Sequence, residues 1–440
     1  MQREVNTEIR PFGLFSGIGI VIANMIGAGI FLSTGFMVQT LRPGEILLAW
    51  GIGAVLALCG VRAYGAVAVL VPESGGEYRY LSTLLHSSLG FMAGWTSLLI
   101  GFSAPMAIDA LAVGAFAETL RISLDPRVTA TGLILILTTA HAFQLRASLW
   151  TQNCLVALKV LLLLCFIALG LALGSWEWPT WSPPQAAESF PLGAFINNLF
   201  FIMFAFSGWN AAVYAAGEFR NPRRDIPRAM LIGCLTVTAI YLVITWIFLA
   251  NLNPDESRAI FDYESTRVTL GHLVVHRLAG PLAAAGMSVV MILVFISALS
   301  AMMLLGPRVC SAMACDGFLP RLLAGTPGRP PRVAVFVQSA LSILLIWTHS
   351  LTQLLLNLGA ILTLFAAMTS LLLFRVTFDP KFTTKPRAID LVAAGVYAVA
   401  ALIMLYFGLR NSLSMLLWIA GLTALACIFH ETASRERREW

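Results

Sequence analysis

The sequence is poor in charge. Asp, Glu, Lys and Arg together make up 11% of its 440 residues, whereas 58% are hydrophobic. A soluble domain of this composition would have too little polar surface, so the scarcity of charge excludes that class and favours an integral membrane protein. Long linkers and low-complexity tracts are also missing, and the longest polar loop is predicted at about 251–279.

Cysteine and histidine are too few and too scattered for a metal centre. The seven cysteines lie in or beside apolar runs, which is typical of small buried residues rather than of a disulfide framework. His272 and His276 are four residues apart and could share a helix face, but no third ligand lies nearby. We therefore expect no metal and no cofactor. Since no nucleophile–base pair is evident, we expect no enzyme either.

What the sequence has in abundance is apolar runs long enough to cross a bilayer. About twelve are present, and we number them spans 1 to 12. Spans 4 and 5, and spans 9 and 10, are joined by very short links. The predicted limits are 12–39, 46–70, 89–118, 128–144, 149–173, 193–217, 230–250, 280–314, 333–349, 351–374, 388–409 and 412–430.

The basic residues lie mainly in short loops between the spans. If the N-terminus is cytoplasmic, most of the 28 Lys and Arg residues fall in cytoplasmic segments, as the positive-inside rule requires. This predicts a multi-pass protein of the cell (cytoplasmic) membrane, with cytoplasmic ends at 1–11 and 431–440. The same placement argues against nucleic acid as a partner and leaves membrane lipid as the expected surroundings.

Two spans contain glycine near their centres. Gly27-Ala28-Gly29 lies in span 1, and Ser207-Gly208 lies in span 6. Glycine weakens a helix, and open backbone at membrane depth is tolerated only where protein or a water-filled cavity surrounds it. Spans five apart cross in opposite directions, so matched breaks predict an inverted five-plus-five repeat. Its units would be 12–173 and 193–374, with helices 11 and 12 appended at 388–430.

A helix broken at mid-membrane offers binding chemistry at both new ends. Free N–H groups carry partial positive charge and suit a carboxylate, whereas free carbonyls suit an ammonium. A zwitterionic α-amino acid has both groups. Tight helix packing by the glycines is the alternative reading. The predicted substrate-binding residues are Ile22, Ala23, Ile26, Gly27, Ala28, Gly29, Phe204, Ala205, Ser207, Trp209 and Asn210.

Two charged residues lie inside spans. Lys159 is near the centre of span 5, where an ionisable residue is a candidate functional site. It could replace a coupling cation, lose its proton during a cycle, or simply brace helices. Asp109 in span 3 could pair with Lys159, contact substrate or face a vestibule. Predicted coupling or gating residues are Lys159, Ser297, Ser300, Phe204 and Asp109.

Glu218 lies at the end of span 6, beside Arg220, Arg223 and Arg224. We expect it to belong to a cytoplasmic ion-pair network rather than to the substrate site.

Four motifs, spread over most of the chain, resemble those of the amino acid–polyamine–organocation permeases. The residue pattern of the motif in span 6 is most similar to that of the L-amino-acid transporter branch. The motifs are Ile26-Gly27-Ala28-Gly29-Ile30-Phe31, Pro72-Glu73-Ser74-Gly75-Gly76-Glu77-Tyr78, Phe204-Ala205-Phe206-Ser207-Gly208-Trp209-Asn210 with its continuation Gly217-Glu218-Phe219-Arg220-Asn221-Pro222, and Ala314-Cys315-Asp316-Gly317-Phe318-Leu319-Pro320.

The resemblance implies an all-α, LeuT-like fold that works by alternating access. It implies carboxylate binding at the span 1 break, a gating role for Phe204, and a pocket position for Ser207. Lys159 matches a lysine that stands where sodium-coupled relatives bind an ion, so sodium-independent exchange or proton coupling is implied. The branch's heavy-chain partners are linked through an extracellular cysteine. None is evident here, so we expect no obligatory protein partner.

The favoured function is therefore a secondary active transporter of α-amino acids, with protons as a candidate co-substrate. A carrier of amines or polyamines from the same family is the first alternative, and Asp109 is the acid that would favour it. A membrane sensor or channel on a carrier scaffold is more distant, because neither a signalling domain nor a filter motif is evident.

Overall fold

The computed structural model describes residues 12–143, 145–183, 189–252, 269–325, 331–411, 421 and 424. Throughout this part of the chain the regular structure is helical, and its single β-type contact is a bridge between Phe12 and Phe219. The helices are α1 (Leu14–Met25), α2 (Gly29–Met37), α3 (Pro43–Leu70), α4 (Glu77–Leu84), α5 (Ser87–Thr96), α6 (Ser103–Thr119), α7 (Pro126–Phe143), α8 (Leu145–Leu173), α9 (Leu192–Ala205), α10 (Ala211–Tyr214), α11 (Pro222–Ala250), α12 (Leu270–Cys315), α13 (Arg332–Thr348), α14 (Leu351–Phe378) and α15 (Ala388–Asn411).

These helices match spans 1 to 11 of the sequence, which confirms an all-α, multi-pass membrane protein. Spans 1 and 6 are each divided, into α1 and α2 and into α9 and α10. Span 3 runs through α5, a π-helical turn at Ser97–Phe102, and α6. Span 12 (412–430) falls outside the described residues apart from two isolated positions. The boundaries of the repeat units, 12–173 and 193–374, remain a prediction.

Eight helical segments of the described chain are long and apolar enough to cross a membrane. Two further apolar helices are shorter: Leu192–Ala205, which ends at the break in span 6, and Arg332–Thr348. The eight segments are Leu14–Met37, Pro43–Leu70, Ser87–Thr119, Cys154–Leu173, Pro222–Ala250, Leu270–Cys315, Gln353–Phe378 and Ala388–Arg410.

Two predicted boundaries were wrong because helices continue beyond the apolar run. Helix α11 begins at Pro222, eight residues before the predicted start of span 7, since Asn221-Pro222 sets a helix start and polar arginines can follow it in water. The predicted polar loop at about 251–279 ends early, because α12 begins at Leu270. Gly280, with φ +80°, interrupts that helix where span 8 was predicted to begin.

The divided helices are packed at the centre of the molecule. Helix α1 packs against α11 and α12, and α2 packs against α9. Helix α6 packs against α7 and α12, which brings span 3 alongside span 8. Every residue of α2 is buried, so this helix is enclosed by protein rather than lipid. Spans 1, 3, 6 and 8 therefore surround the interior where the breaks lie.

Ion pairs and hydrogen bonds join the loops at one end of the molecule. Arg79 lies 3.0 Å from Asp316, and the Tyr78 hydroxyl lies 2.5 Å from the same carboxylate. These contacts connect α4 to the end of α12. On the outer face of α3, Arg62 pairs with Asp390 of α15 at 2.6 Å.

Candidate functional site

The two predicted breaks are present. Helix α1 ends at Met25, where Ile26 leaves the helix with φ −81° and ψ 94°, and α2 begins at Gly29. In span 6 the helix ends at Ala205 and resumes at Ala211. Open backbone in both spans therefore exposes polar groups to the protein interior.

The breaks are in direct contact with each other through glycine. A Cβ atom on Gly208 would lie 2.7 Å from the backbone carbonyl carbon of Asn24, and one on Gly29 would lie 2.5 Å from Ala205 Cα. Gly208 also has φ +94°, a backbone angle that residues other than glycine rarely adopt. Both glycines are thus required where one backbone rests on the other.

Asp109 binds the break in span 1. Its Oδ1 accepts a hydrogen bond of 2.7 Å from the backbone N–H of Ala28, the residue that precedes α2. A Cβ on Gly27 would lie 3.1 Å from both carboxylate oxygens, so the acid rests against the glycine backbone. The side chain is 1% exposed, and among the described residues Oδ2 finds no hydrogen-bond partner. A carboxylate therefore occupies the positive N-terminal end of α2.

Lys159 binds the opposite side of the same break. Its ammonium donates hydrogen bonds to the carbonyls of Ala23, at 3.0 Å, and Ile26, at 2.6 Å. The lysine is 1% exposed, so its charge is buried beside the open end of α1. The amine and the Asp109 carboxylate interact electrostatically, but across the described structure they form no ion pair within 4 Å.

Carbonyls of predicted substrate-binding residues beside the two breaks already accept hydrogen bonds. Ile22 accepts from the Ile26 N–H at 3.0 Å, and Phe204 accepts from the Ser207 N–H at 2.9 Å. The Tyr241 hydroxyl lies 3.1 Å from the Ala205 carbonyl and 2.5 Å from that of Met25, which ties the two breaks together. An ammonium would therefore have to share these oxygens through their second lone pairs.

A cavity lies beside the span 6 break, one helical turn from Asp109. The empty space, together with its opening to solvent, amounts to about 830 Å³. Three of the predicted substrate-binding residues, Ser207, Trp209 and Asn210, line the cavity, and so do Asn24 and Pro105. The rest of the lining is mainly apolar and aromatic: Phe102, Met203, Tyr214, Met302, Ile361, Phe365 and Tyr397. Such a lining would accommodate an apolar or aromatic group of a ligand.

Glu77 is a cavity residue that the sequence reasoning missed. Its carboxylate accepts hydrogen bonds from Tyr214, at 2.7 Å, Asn210, at 2.7 Å, and Tyr64, at 3.0 Å. The side chain is 6% exposed, and it is the single acid in the described lining of the cavity. In the sequence Glu77 stands out only as part of the Gly75-Gly76 motif. The signal that could have indicated its role is an acid placed directly after a glycine pair, where a helix starts.

The remaining predicted residues are distributed around these two groups. Phe204 is buried beside the break but outside the cavity lining. Ser300 Oγ lies 3.0 Å from His141 Nε2, and Ser297 is fully buried. The structure thus brings Ala23, Ile26, Gly27, Ala28, Asp109 and Lys159 into one buried cluster, and places Ser207, Trp209 and Asn210 at the adjoining cavity.

Glu218 forms an ion pair, as predicted, and its partner lies on α12. The carboxylate pairs with Arg308, at 2.6 Å. Because Asn221 and Pro222 start α11 directly after the loop that contains Glu218, the chain turns Arg223 and Arg224 into a helix while Glu218 faces α12.

Comparison with known proteins gives the family. A model of the amino acid permease family matches residues 12–427, nearly the whole chain. The chain is 27% identical over 275 residues to b(0,+)-type amino acid transporter 1 of Mus musculus, which covers 61% of this chain and 56% of the relative. It is 26% identical over 335 residues to Asc-type amino acid transporter 1 of Homo sapiens, covering 72% and 61%. It is 28% identical over 260 residues to large neutral amino acids transporter small subunit 2 of Rattus norvegicus, covering 56% and 48%.

The chain therefore spans less than two thirds of the length of these relatives. The family model covers both broken spans, the buried cluster and the cavity. The resemblance carried by the four motifs is thereby confirmed, and the chain belongs to the amino acid permease family.

Proposed function

We propose that this protein is a secondary active transporter of α-amino acids that works by alternating access. The observation that carries the proposal is the contact of two broken spans beside a cavity. Broken helices at the midplane, with half-helix ends facing a cavity, are the arrangement in which secondary transporters bind substrates. Membership of the amino acid permease family and relatives named as amino acid transporters support the same function.

The substrate would bind between the cluster and the cavity. Its carboxylate would accept from backbone N–H groups at the start of α2, where the helix end carries partial positive charge. Its ammonium would share carbonyls at the end of α1 and α9. Its side chain would extend past Ser207 and Asn210 among the aromatic residues of the cavity. Backbone groups would thus recognise what all α-amino acids share, and the cavity would select among side chains.

Lys159 would take the place of a bound cation. Its ammonium already satisfies two carbonyls at the break, which is the coordination that a metal cation would otherwise supply. A tethered charge needs no sodium ion, so we propose sodium-independent transport, either by exchange or coupled to protons.

The proposed orientation places both termini in the cytoplasm of a cell membrane. In that orientation the cavity lies on the cytoplasmic side of the breaks, because Glu77 and Tyr214 belong to the inner ends of spans 2–3 and 6. On the outer side α2 is fully buried, and Phe31 packs edge-on against Phe248 and Phe295. The described conformation would therefore be closed to the outside.

The test is uptake into liposomes that contain the purified protein. A panel of amino acids would be screened with and without a proton gradient, and with and without amino acid inside. Uptake that requires internal amino acid indicates exchange, and uptake driven by the gradient indicates proton coupling. Absence of uptake for every amino acid, under all conditions, would contradict the proposal.

Gly29→Leu locates the site within the same assay. The new side chain would collide with Ala205 and push α2 away from the breaks, so binding of transported amino acids should be lost. Gly51→Leu is the matched control, since a Cβ at Gly51 meets no atom within 4 Å. If the Gly29 variant keeps its affinity for amino acids, the substrate does not bind at the break in span 1.

A carrier of amines from the same family is the second candidate. Asp109 favours it, because a buried acid beside a break could attract a substrate cation. Uptake of amines, with no uptake of amino acids, would decide for this alternative.

A further inference from the structure

The N–H group best placed to receive a substrate carboxylate is already occupied. Ala28 directly precedes α2, and its N–H donates to Asp109 Oδ1 at 2.7 Å. Asp109 comes from span 3, 81 residues along the chain, so this contact is not a local turn. The acid lies against Gly27, the glycine that would let a ligand approach the backbone. A side chain of this protein thus stands where the proposed function puts a carboxylate of the substrate.

Two ionised carboxylates would not share this position. Like charges repel each other strongly in a buried site, and burial raises the free energy of each ionised group. Lys159 and Asp109 bind the break in span 1 from its two sides. The ammonium of a zwitterion would bind at the carbonyl end of α1, so it would not separate the two carboxylates at the start of α2. Addition of one proton to Asp109 removes its negative charge and weakens its bond to the Ala28 N–H.

Two charged or titratable side chains of the described chain interact electrostatically with Asp109, and they are Lys159 of α8 and Tyr241 of α11. Helices α7, α12, α13 and α14 also pack against α6, and four of their ionisable groups have partners elsewhere. His141 contacts Ser300, Arg308 pairs with Glu218, Arg332 donates to Ala142, and Arg375 donates to Leu85.

We propose that Asp109 holds the carboxylate position in the empty carrier and yields it to the substrate only when protonated. This inference rests on the proposed function and specifies its coupling ion. The proton comes from the solution that the cavity contacts and forms an O–H bond on Asp109. The Ala28 N–H then passes to the substrate carboxylate, and release of the substrate allows Asp109 to lose the proton and rebind Ala28. Each zwitterion therefore enters with one proton.

The experiment compares ligands that differ only in the carboxylate. The probes are leucine with isoamylamine, and arginine with agmatine, bound to the purified protein in nanodiscs between pH 5.5 and 8. Because a proton must bind first, the Kd of an amino acid should rise with pH by up to about tenfold per pH unit. The Kd of the matching amine should not rise, since an amine does not compete with Asp109 for the N–H.

Asp109→Asn is the decisive variant, because an amide keeps the size and the acceptor oxygen but carries no charge. Its amino acid Kd should be independent of pH and lower than that of the wild type at pH 8. Glu118→Gln is the matched control on the same helix, where the acid is exposed, and it should retain the wild-type pH dependence.

Three results would overturn the inference: a flat pH profile in the wild type, an unchanged profile in Asp109→Asn, or tighter binding of the amines than the amino acids at every pH. If no member of a full amino acid panel binds at all, the proposed function itself fails. If amino acids bind with a flat profile, only the role of Asp109 fails.

Discussion

At the scale of single residues, Lys159 has the sharpest consequence. Its ammonium binds two carbonyls that would otherwise lie buried without a donor. A buried acceptor that loses its partner costs about 1–3 kcal/mol, which is enough to disturb an open helix end. The charge on this side chain therefore maintains the geometry of the break as well as its electrostatics.

Lys159→Ala should lower uptake into liposomes at least about tenfold, because an uncompensated cost of that size shifts the site away from its binding geometry. Lys381→Ala, which removes an exposed lysine, is the control and should transport normally. Thermal stability of both variants would be measured in detergent. Normal uptake by the Lys159 variant would show that Lys159 only braces helices and that its charge is not needed for transport.

Gly208→Ala should destabilise the protein by about 1–3 kcal/mol, since it combines a positive φ with a collision against Asn24. The expected readout is a lower melting temperature together with reduced uptake. Gly193→Ala adds a methyl group where no atom lies within 4 Å and should have little effect. A Gly208 variant as stable as the wild type would show that the two backbones separate easily.

The sequence predicted individual site residues unevenly, for a physical reason. Gly27, Gly208 and Lys159 stand out locally, because glycine and charge are unusual in an apolar run. The bond from Asp109 to Ala28 could not be inferred, since it joins positions 81 residues apart. The role of Asp109 was left open for the same reason.

At the scale of helices, breaks could be predicted better than ends. A break depends on a few residues inside a span, whereas the end of a helix depends on what surrounds it. Helix α11 extends into an arginine-rich segment that hydropathy alone assigns to a loop. Helix α4 was not predicted, because its eight residues are amphipathic and too short to cross a bilayer.

The first turn of α4 offers a test at this scale. Glu77→Gln replaces a carboxylate that accepts three hydrogen bonds by an amide with one acceptor oxygen, so the bonds from Tyr64, Asn210 and Tyr214 cannot all persist. We expect a melting temperature several degrees lower and slower uptake. Glu73→Gln in the same loop alters an acid that is 61% exposed, and it should be nearly neutral. Equal stability of the two variants would contradict a structural role for Glu77.

At the scale of the whole molecule, the architecture followed from composition and the spacing of apolar runs. Eleven of the predicted spans correspond to helices of the described chain. The inverted repeat remains a prediction, because it concerns symmetry between halves whose sequences are only weakly similar.

The orientation can be tested by labelling single cysteines in a background where all seven native cysteines are replaced by alanine. A membrane-impermeant thiol reagent applied to intact cells should label Arg121→Cys, in the loop after span 3, and spare Arg224→Cys, after span 6. Permeabilised cells should show labelling at both positions. The reverse pattern in intact cells would place the termini outside.

The close seating of Gly29 on Ala205 and of Gly208 on Asn24 limits how the molecule can move. Two backbone segments in such close contact cannot slide past each other unless they first separate. Spans 1 and 6 must then travel as a pair, and the hinges that open one face and shut the other must lie in the segments that join this pair to the rest of the protein.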